Sequence, residues 1–567
     1  MNTARALLGN SMKSLQMSRS WLTALSMLML LLLPVATFAQ GVSADARTGT
    51  LTPVATADLQ QPVAFIGQTI STSIQSRPKG GRRIPSPHFA LAAVGKGPEA
   101  AETPLEKGES SDLLRNFNGV SSLDSAVTNF GAEFEPPDQG LCVGNGFVVE
   151  PVNSAFTVYR KDGAAVAGPF NVNVLFAEGL TEFTSDPRCY YDRSTNTWFA
   201  TILFIASDNL SARTDVAVNA SGDPTKPWTV YHLDATNEGT NGTPNDPGCP
   251  CLGDQPLLGI DNDNVYISTN EFSILGPQFN GAQIYALSKS DLIRGRPLHY
   301  AHFGNLTIGG AIAASVQPAI TNGDAPAEYF LSSLDPNGTT DNRIGVWALT
   351  HGERVSDGGT PTLSSLVINS EAYGLPPNAV QEGSSSLLAT DDDRMQQVQF
   401  INGNLWGALT TVLTPKNDTV ARSAVAWFKV HPRLSGDAIG AAHMSAEGYV
   451  AANDKYLFYP AIQASDDGNV AMVMTLSGET NYASAAYVLL SDKKDSFGPI
   501  KIASAGTGPY DPQATRWGDY SAAVLDPDGK SFWLATEYVP PFASQTPDGL
   551  RNWGTRVLQV SAENRSP

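Results

Sequence analysis

The sequence predicts an all-β protein built as a single β-propeller, and three observations predict it. A short pattern returns seven times: a first residue, most often Asp, then a run of small and apolar residues, then Asp or Asn at a turn before a second β-rich run. Fixed self-similarity in a β-rich chain is the signature of radial repetition. A further strand position in each repeat returns the same count. No long stretch after Gly41 shows helical periodicity, while Gly, Asn, Ser and Thr abound, as short strands joined by many turns require.

The elements follow in order. Segments 138–145, 254–261 and 519–526 share one spacing between their polar ends. Segments 317–324, 395–402 and 459–466 repeat it with Gln317, Met395 and Tyr459 in first place, and 185–192 is a looser copy whose acid falls at Asp186. In the third repeat, 255–260 reads as an inner strand and 261–264 as a turn, because Asn and Asp tolerate turn conformations. Segment 265–270, β-branched and aromatic, is the next strand. A third strand at 282–287 has counterparts at 156–160, 214–218, 344–349, 424–428, 486–490 and 555–560. Both positions count seven blades; six, with one repeat misread, is the alternative architecture. The repeats exceed the roughly 40–45 residues of a WD40 blade, so loops carry the excess, chiefly 219–253 and 352–394. Such loops either set specificity or are tolerated insertions. The last strand lies almost at the C-terminus. A strand from within 117–134 is therefore expected to join the last blade, which removes two exposed sheet edges.

Residues 1–39 read as a signal peptide. Arg5, Lys13 and Arg19 precede an apolar run at 21–33, Pro34 breaks it, and Thr37 and Ala39 are the small residues a signal peptidase reads. Cleavage after Ala39 predicts export, to the periplasm or outside the cell. The apolar run is short for a membrane span, and no later segment is long and apolar enough for one. Residues 40–115 hold Pro-Lys-Gly-Gly-Arg-Arg and few aromatics, and read as a low-complexity linker or pro-segment with one local strand near 63–70. The propeller domain is then 116–567. A formal charge of −19 argues against nucleic-acid binding, which needs clustered Lys and Arg. It leaves little attraction for anionic lipid.

Four cysteines allow three complete pairings. Cys142 and Cys189 fall at similar depths in neighbouring repeats, which favours Cys142–Cys189 with Cys249–Cys251 in an exported protein. A zinc site fits less well, because Cys249-x-Cys251 lacks knuckle spacing and no His is close in sequence.

Equivalent positions in a propeller share one rim of the channel. Asp138, Asp254 and Asp519 are equivalent by spacing and would form part of an acidic ring. Such a ring can bind Ca²⁺, which prefers oxygen ligands, or supply acid and base. Each Asp can instead fix a turn between blades through backbone amides, and repetition favours that role. Arg188, Arg394 and Arg516 break the repeat and would converge on one mouth. Converging guanidinium groups suit a carboxylate, or each pairs with a neighbour such as Asp186, Asp393 or Asp519. Arg516-Trp517-Gly518-Asp519-Tyr520-Ser521, followed by Glu537 and Tyr538, is the densest motif. It reads as a sugar subsite, with Trp517 for stacking and Asp519 or Glu537 for hydrogen bonding, although aromatics in propellers are more often core.

Asp186-Pro187-Arg188 followed by Trp198-Phe199-Ala200, the run from Gly248 to Pro256 containing Cys249-Pro250-Cys251, and Arg516-Trp517-Gly518-Asp519-Tyr520 are similar to motifs of secreted bacterial propellers grouped with sialidase-like folds. The resemblance covers roughly the ordered part of the chain, and it implies fold more than activity. It implies an arginine triad, which Arg188, Arg394 and Arg516 would mimic, together with a Tyr–Glu nucleophile pair and an acid–base Asp. No Tyr–Glu pair can be assigned from the sequence. The repeated Asp-box is present only as echoes at Ser465-Asp466-Asp467-Gly468 and Asp526-Pro527-Asp528-Gly529, and Arg83-Ile84-Pro85 lies far before the first blade. The seven His are scattered, and neither a nucleophile elbow nor a phosphate loop is present. The sequence therefore predicts an exported propeller that binds a glycan or a surface protein through one loop-rich face, without catalysis. Its alternative is a carbohydrate-active enzyme, a glycoside hydrolase or lyase, acting on an acidic saccharide.

Overall fold

The computed structural model describes residues 40–41, 45–59, 95–106, 111–131, 134–208, 210–321, 323–338, 340–491, 494, 496–510, 516–545 and 552–562. The segment 1–39 expected to be a signal peptide, the strand expected near 63–70 and Arg83-Ile84-Pro85 lie outside them.

Among the described residues the chain folds into seven successive antiparallel meanders of four strands. Their innermost strands are Cys142–Gly144, Phe183–Asp192, Cys251–Ile260, Gln317–Thr321, Met395–Ile401, Lys455–Ala464 and Ala522–Leu525. Each inner strand pairs with the strand that follows it across a short turn. In the third meander the later strands are Asn264–Ser273, Phe279–Ser288 and Leu298–Gly304. The strands expected at 265–270 and 282–287 are both there. Each inner strand packs against the inner strand of the next meander, and the seventh lies against the first. The third, fourth and fifth are also bonded in parallel, through Ile260–Ile320 and Ala319–Val398.

Packing between neighbouring sheets explains the strand composition. Thr197–Ile205 is buried along its whole length, because one face meets the preceding meander and the other the following one. Alternation of apolar and polar residues is therefore weak, as it is wherever a strand is covered on both faces. Tyr329, Val346 and Tyr373 of the fourth meander share one core with Phe400, Leu409 and Phe428. The disulfides form as expected: Cys142–Cys189 ties the first two inner strands together, and Cys249–Cys251 precedes the third.

Two expectations are corrected. The seventh meander does take its outer strand from the N-terminal side, but that strand is Leu113–Ser121, with Phe117 opposite Val557. It ends where Ser121 caps the helix Ser122–Thr128 in a reciprocal pair with Asp124, a capping box that stops the strand inside 117–134. The segment read as a linker also contributes strands. Asp45–Leu51 adds a fifth strand to Leu298–Gly304, and Pro53–Ala57 adds one to Trp228–Asp234. Outer sheet edges expose unpaired backbone groups, and a Thr-, Ala- and Val-rich stretch can satisfy them without a core of its own. No helix among the described residues is long and apolar enough to cross a membrane.

Candidate functional site

Just before or within the first half of each inner strand, at one repeat position, the backbone enters the left-handed region. The residues are Asp138 (φ 46°), Asp186 (61°), Gln255 (52°), Ser315 (44°), Asp391 (49°), Tyr459 (53°) and Gly518 (30°). Such conformations cost of order 1–3 kcal/mol each at non-Gly residues and persist when surroundings over-determine them. Here the preceding meander does so. Asn153 Oδ1 accepts from the Asp186 amide at 2.6 Å, Asn270 Oδ1 from Ser315 at 2.8 Å, and Thr410 Oγ1 from Tyr459 at 3.0 Å. Asp186 Oδ2 likewise accepts from the Gln255 amide at 3.1 Å. The ladder slips at the same level, between Ser185 and Arg188, Asp254 and Leu257, and Phe458 and Ala461. These bulges re-aim the side chains around them.

The result is a mixed cluster of acids and arginines. Carboxylate oxygens of Asp138, Asp186 and Asp519 lie within 4.8 Å of one another. Asp254, expected in this ring, is not in it: it stays opposite Asn270 in its sheet. The left-handed position of the third repeat belongs to Gln255, one residue later, and Gln255 takes the place in the network. Arg394 Nη1 donates to Gln255 Oε1 at 2.6 Å.

The three arginines all lie close enough to Asp519 to feel its charge, but two are already committed. Arg394 grips Asp392 through two bonds of 2.7 and 2.6 Å, rather than Asp393. Arg516 Nη2 binds Asp519 at 2.5 Å. In both, burial works against the charge and the partner acid outweighs it, so the guanidinium is held above its ordinary range. Arg188 differs. Its Cζ sits 3.3 Å from the centroid of the Tyr520 ring, and its Nε and Nη2 have no hydrogen-bond partner. Burial lowers its pKa, against the pull of Tyr520, Asp186 and Asp138.

The acids do not all carry charge. Asp391 is pushed up to about 8, by enclosure first and then by the Asp519 charge, with Arg516 pulling the other way. Its side chain is exposed to solvent even though many protein atoms crowd around it. Its carboxyl is within hydrogen-bonding reach of Asp519, so the Asp519 charge favours a proton on Asp391. Glu537 is 2 % exposed, its carboxylate oxygens have no hydrogen-bond partner, and burial followed by Asp138 raises it well above the usual range. A Cβ on Gly518 would lie 2.8 Å from Glu537 Oε2, so glycine is needed there for space as well as for φ. On the far side of Gly518 stands Tyr459, whose buried hydroxyl has no partner.

Trp517 is corrected. It is fully buried, donates from Nε1 to Thr475 Oγ1 at 3.3 Å, and meets Tyr510 edge-on at 4.8 Å. It is core and offers no stacking face. Asp391, Gln255 and Tyr459 were absent from the predicted set. A signal for two of them was present: Asp186-Pro187, Gln255-Pro256 and Tyr459-Pro460 repeat one residue and a proline at one repeat position.

The Ca²⁺ reading fits this cluster poorly. Asp519 is held by Arg516, Asp138 Oδ2 accepts from Asn153 Nδ2 at 2.7 Å, and Asp186 accepts from Ser185 and Gln255. Each of the three carboxylates already accepts from at least one of the protein's own donors.

No protein-family model and no curated protein matches the chain. Among solved structures it is similar to an α-L-arabinofuranosidase from Fusarium graminearum, with 10% identity, TM-score 0.32, and coverage of 80% of this chain and 98% of that one. It is also similar to a PL25 ulvan lyase, with 10% identity, TM-score 0.33, and coverage of 80% and 96%. A third is a Hadza microbial sialidase, with 9% identity, TM-score 0.36, and 73% of each chain covered. At these identities and TM-scores the likeness carries no argument about activity, which rests on the geometry.

Proposed function

We propose that the seven meanders are the blades of one exported seven-bladed β-propeller, and that it is a carbohydrate-active enzyme cleaving a glycosidic bond at the channel mouth. The observation that carries this reading is the Asp391–Asp519 pair, two carboxyl groups within hydrogen-bonding reach of each other, with Asp391 raised to about 8. A carboxylic acid that keeps its proton near neutral pH is what protonation of a leaving oxygen requires, and Asp519, held by Arg516, is placed to supply the base or nucleophile. Arg394 and Arg516 hold the pair in place. Arg188 is the cation with uncommitted donors, and it is the group to receive a substrate oxygen.

The expectation of an acidic saccharide held by three arginines narrows accordingly. The carboxyl groups outnumber the arginines in the cluster, so a single carboxylate at Arg188, or a neutral sugar, fits better than a polyanion. The test is product release from a panel of neutral glycosides, sialosides and uronic-acid polysaccharides, following reducing ends and ultraviolet absorbance together. Hydrolysis abolished by Asp391→Asn and Asp519→Asn supports the proposal. An absorbing unsaturated product would move the assignment to a lyase. Glycan binding without turnover would restore the non-catalytic propeller.

A further inference from the structure

Outside this cluster, the Cys249–Cys251 bridge has surroundings that a structural crosslink does not need. The two cysteines are separated by two positions in sequence, against 47 for Cys142–Cys189. A crosslink removes freedom from the unfolded chain in proportion to the logarithm of the loop it closes. Stability therefore accounts for Cys142–Cys189, which ties two meanders together, and accounts poorly for Cys249–Cys251.

Both sulfurs and a carboxylate oxygen of Glu271 lie within 4.8 Å of one another. Glu271 is 1 % exposed and stands opposite Gly253 on the neighbouring strand. Its Oε1 accepts from Asn237 Nδ2, and its Oε2 accepts from Gln283 Nε2 at 3.2 Å. Asn280 Nδ2 donates toward Cys249 Sγ at 3.8 Å and Cys251 Sγ at 3.7 Å. Asp246, on the preceding loop, lies within hydrogen-bonding reach of Glu271, and Tyr285 faces both from the third strand of the meander. His302 bonds Gln283 Oε1 at 2.8 Å and is pushed down to about 3 by burial and then by Arg47, so it is neutral. Arg47 and Asp45, on the added edge strand, face Asp246. The two sulfurs are unequal: Cys251 is fully buried and Cys249 is partly exposed.

We propose that Cys249–Cys251 is a redox-active disulfide that accepts two electrons from a dithiol, with Glu271 delivering the proton to the departing sulfur. One thiolate of the dithiol attacks Cys249 Sγ, the reachable sulfur, and forms a mixed disulfide. The Cys249–Cys251 bond breaks with its electron pair on Cys251 Sγ, which takes the Glu271 proton. The second thiol of the reductant then attacks the mixed disulfide. Cys249 Sγ leaves as a thiol, and the reductant departs as a cyclic disulfide. The two protons released by the dithiol balance those on the two cysteines once Glu271 is reprotonated. A buried acid beside the leaving sulfur raises the rate because exchange is faster when the leaving sulfur departs as a weaker base.

The test is reduction of the folded full chain by dithiothreitol and by a water-soluble phosphine, with maleimide trapping and mass mapping of each cysteine. Cys249 and Cys251 are expected to be reduced at least about tenfold faster than Cys142 and Cys189, without loss of the native circular dichroism. The phosphine rate does not depend on a thiolate in the reductant. It should fall between about pH 7 and about pH 9 as Glu271, whose carboxyl sits at about 8, loses its proton. Glu271→Gln should flatten that profile. Simultaneous reduction of both bridges with unfolding, or a flat profile in the unaltered protein, overturns the proposal. The profile of the unaltered protein decides the matter if Glu271→Gln does not fold.

Discussion

Asp391 holds its proton to about pH 8 because crowding and the neighbouring Asp519 charge disfavour its ionised form, and Arg516 and Arg394 only partly offset them. Turnover on any hydrolysed glycoside should therefore decline as pH rises past about 8, where Asp391 loses the proton it must donate. A pH profile of kcat/KM checks this, and an alkaline limb that survives Asp391→Asn would count against the assignment. Loss of the acid should cost roughly 10²–10⁴ in kcat. Arg188→Lys is not conservative here, because a planar guanidinium stacks on Tyr520 and an ammonium does not. If Arg188 receives a substrate oxygen, that variant raises KM more than it lowers kcat. Trp517→Ala belongs to a different class. It empties a fully buried site and should cost about 3–5 kcal/mol in a denaturant melt.

The strained positions Asp186, Gln255, Ser315 and Tyr459 are held from the neighbouring meander, so their stability lies in the contact between elements. Asn153 illustrates this: its side chain accepts from the Asp186 amide and donates to Pro136 O and Asp138 Oδ2. The junction between the closing strand Leu113–Ser121 and the first meander carries a second such contact. Glu150 Oε2 accepts from the Val120 amide at 2.9 Å, and a Cβ on Gly119 would collide with the carboxyl. Burial raises Glu150 from 4.5 to about 7, with Thr555 and the Val120 amide opposing. The folded state thus holds this proton more tightly than the unfolded chain. Its destabilisation is absent below about pH 4.5, grows as pH rises, and is complete above about pH 7. Glu150→Gln should therefore gain about 3 kcal/mol on the unaltered protein across that window, read from denaturant midpoints at a series of pH values. Equal midpoints at every pH would show that Glu150 is not the buried acid described.

At the scale of the whole molecule, Leu113–Ser121 and Gly554–Ser561 share one sheet, so the seventh meander depends on residues more than four hundred positions apart. Removal of 554–567 takes away the strand that Leu113–Ser121 pairs with and should abolish a cooperative thermal transition. Removal of 45–57 takes only added edge strands and should lower Tm while leaving the transition cooperative; a linker would give no change. Chelator should leave Tm unmoved, because the cluster's oxygens already accept from Arg516, Asn153, Ser185 and Gln255.

The sequence by itself determined the repeat and the strand positions within it, and it favoured the cysteine pairing that the structure shows. These follow from local chemistry: β-branched runs, Asn and Asp at turns, and equal spacing along the chain. It also marked Asp138, Asp519, Glu537 and the three arginines, since residues that recur at, or depart from, one repeat position end near one level of the fold. Only the tertiary structure decided which of them meet. A one-residue difference put Gln255 rather than Asp254 at the cluster, a choice set by where the bulge falls in each strand. Asp392 and Asp519 neutralised two of the arginines and left Arg188 uncommitted. Asp391 was visible only as one acid in a run of three, and part of the rise in its pKa comes from the charge of Asp519, 128 positions away by the numbering. Spacing along a chain sets which side chains share a level, but ionisation and pairing depend on distances across the ring, which no local pattern encodes.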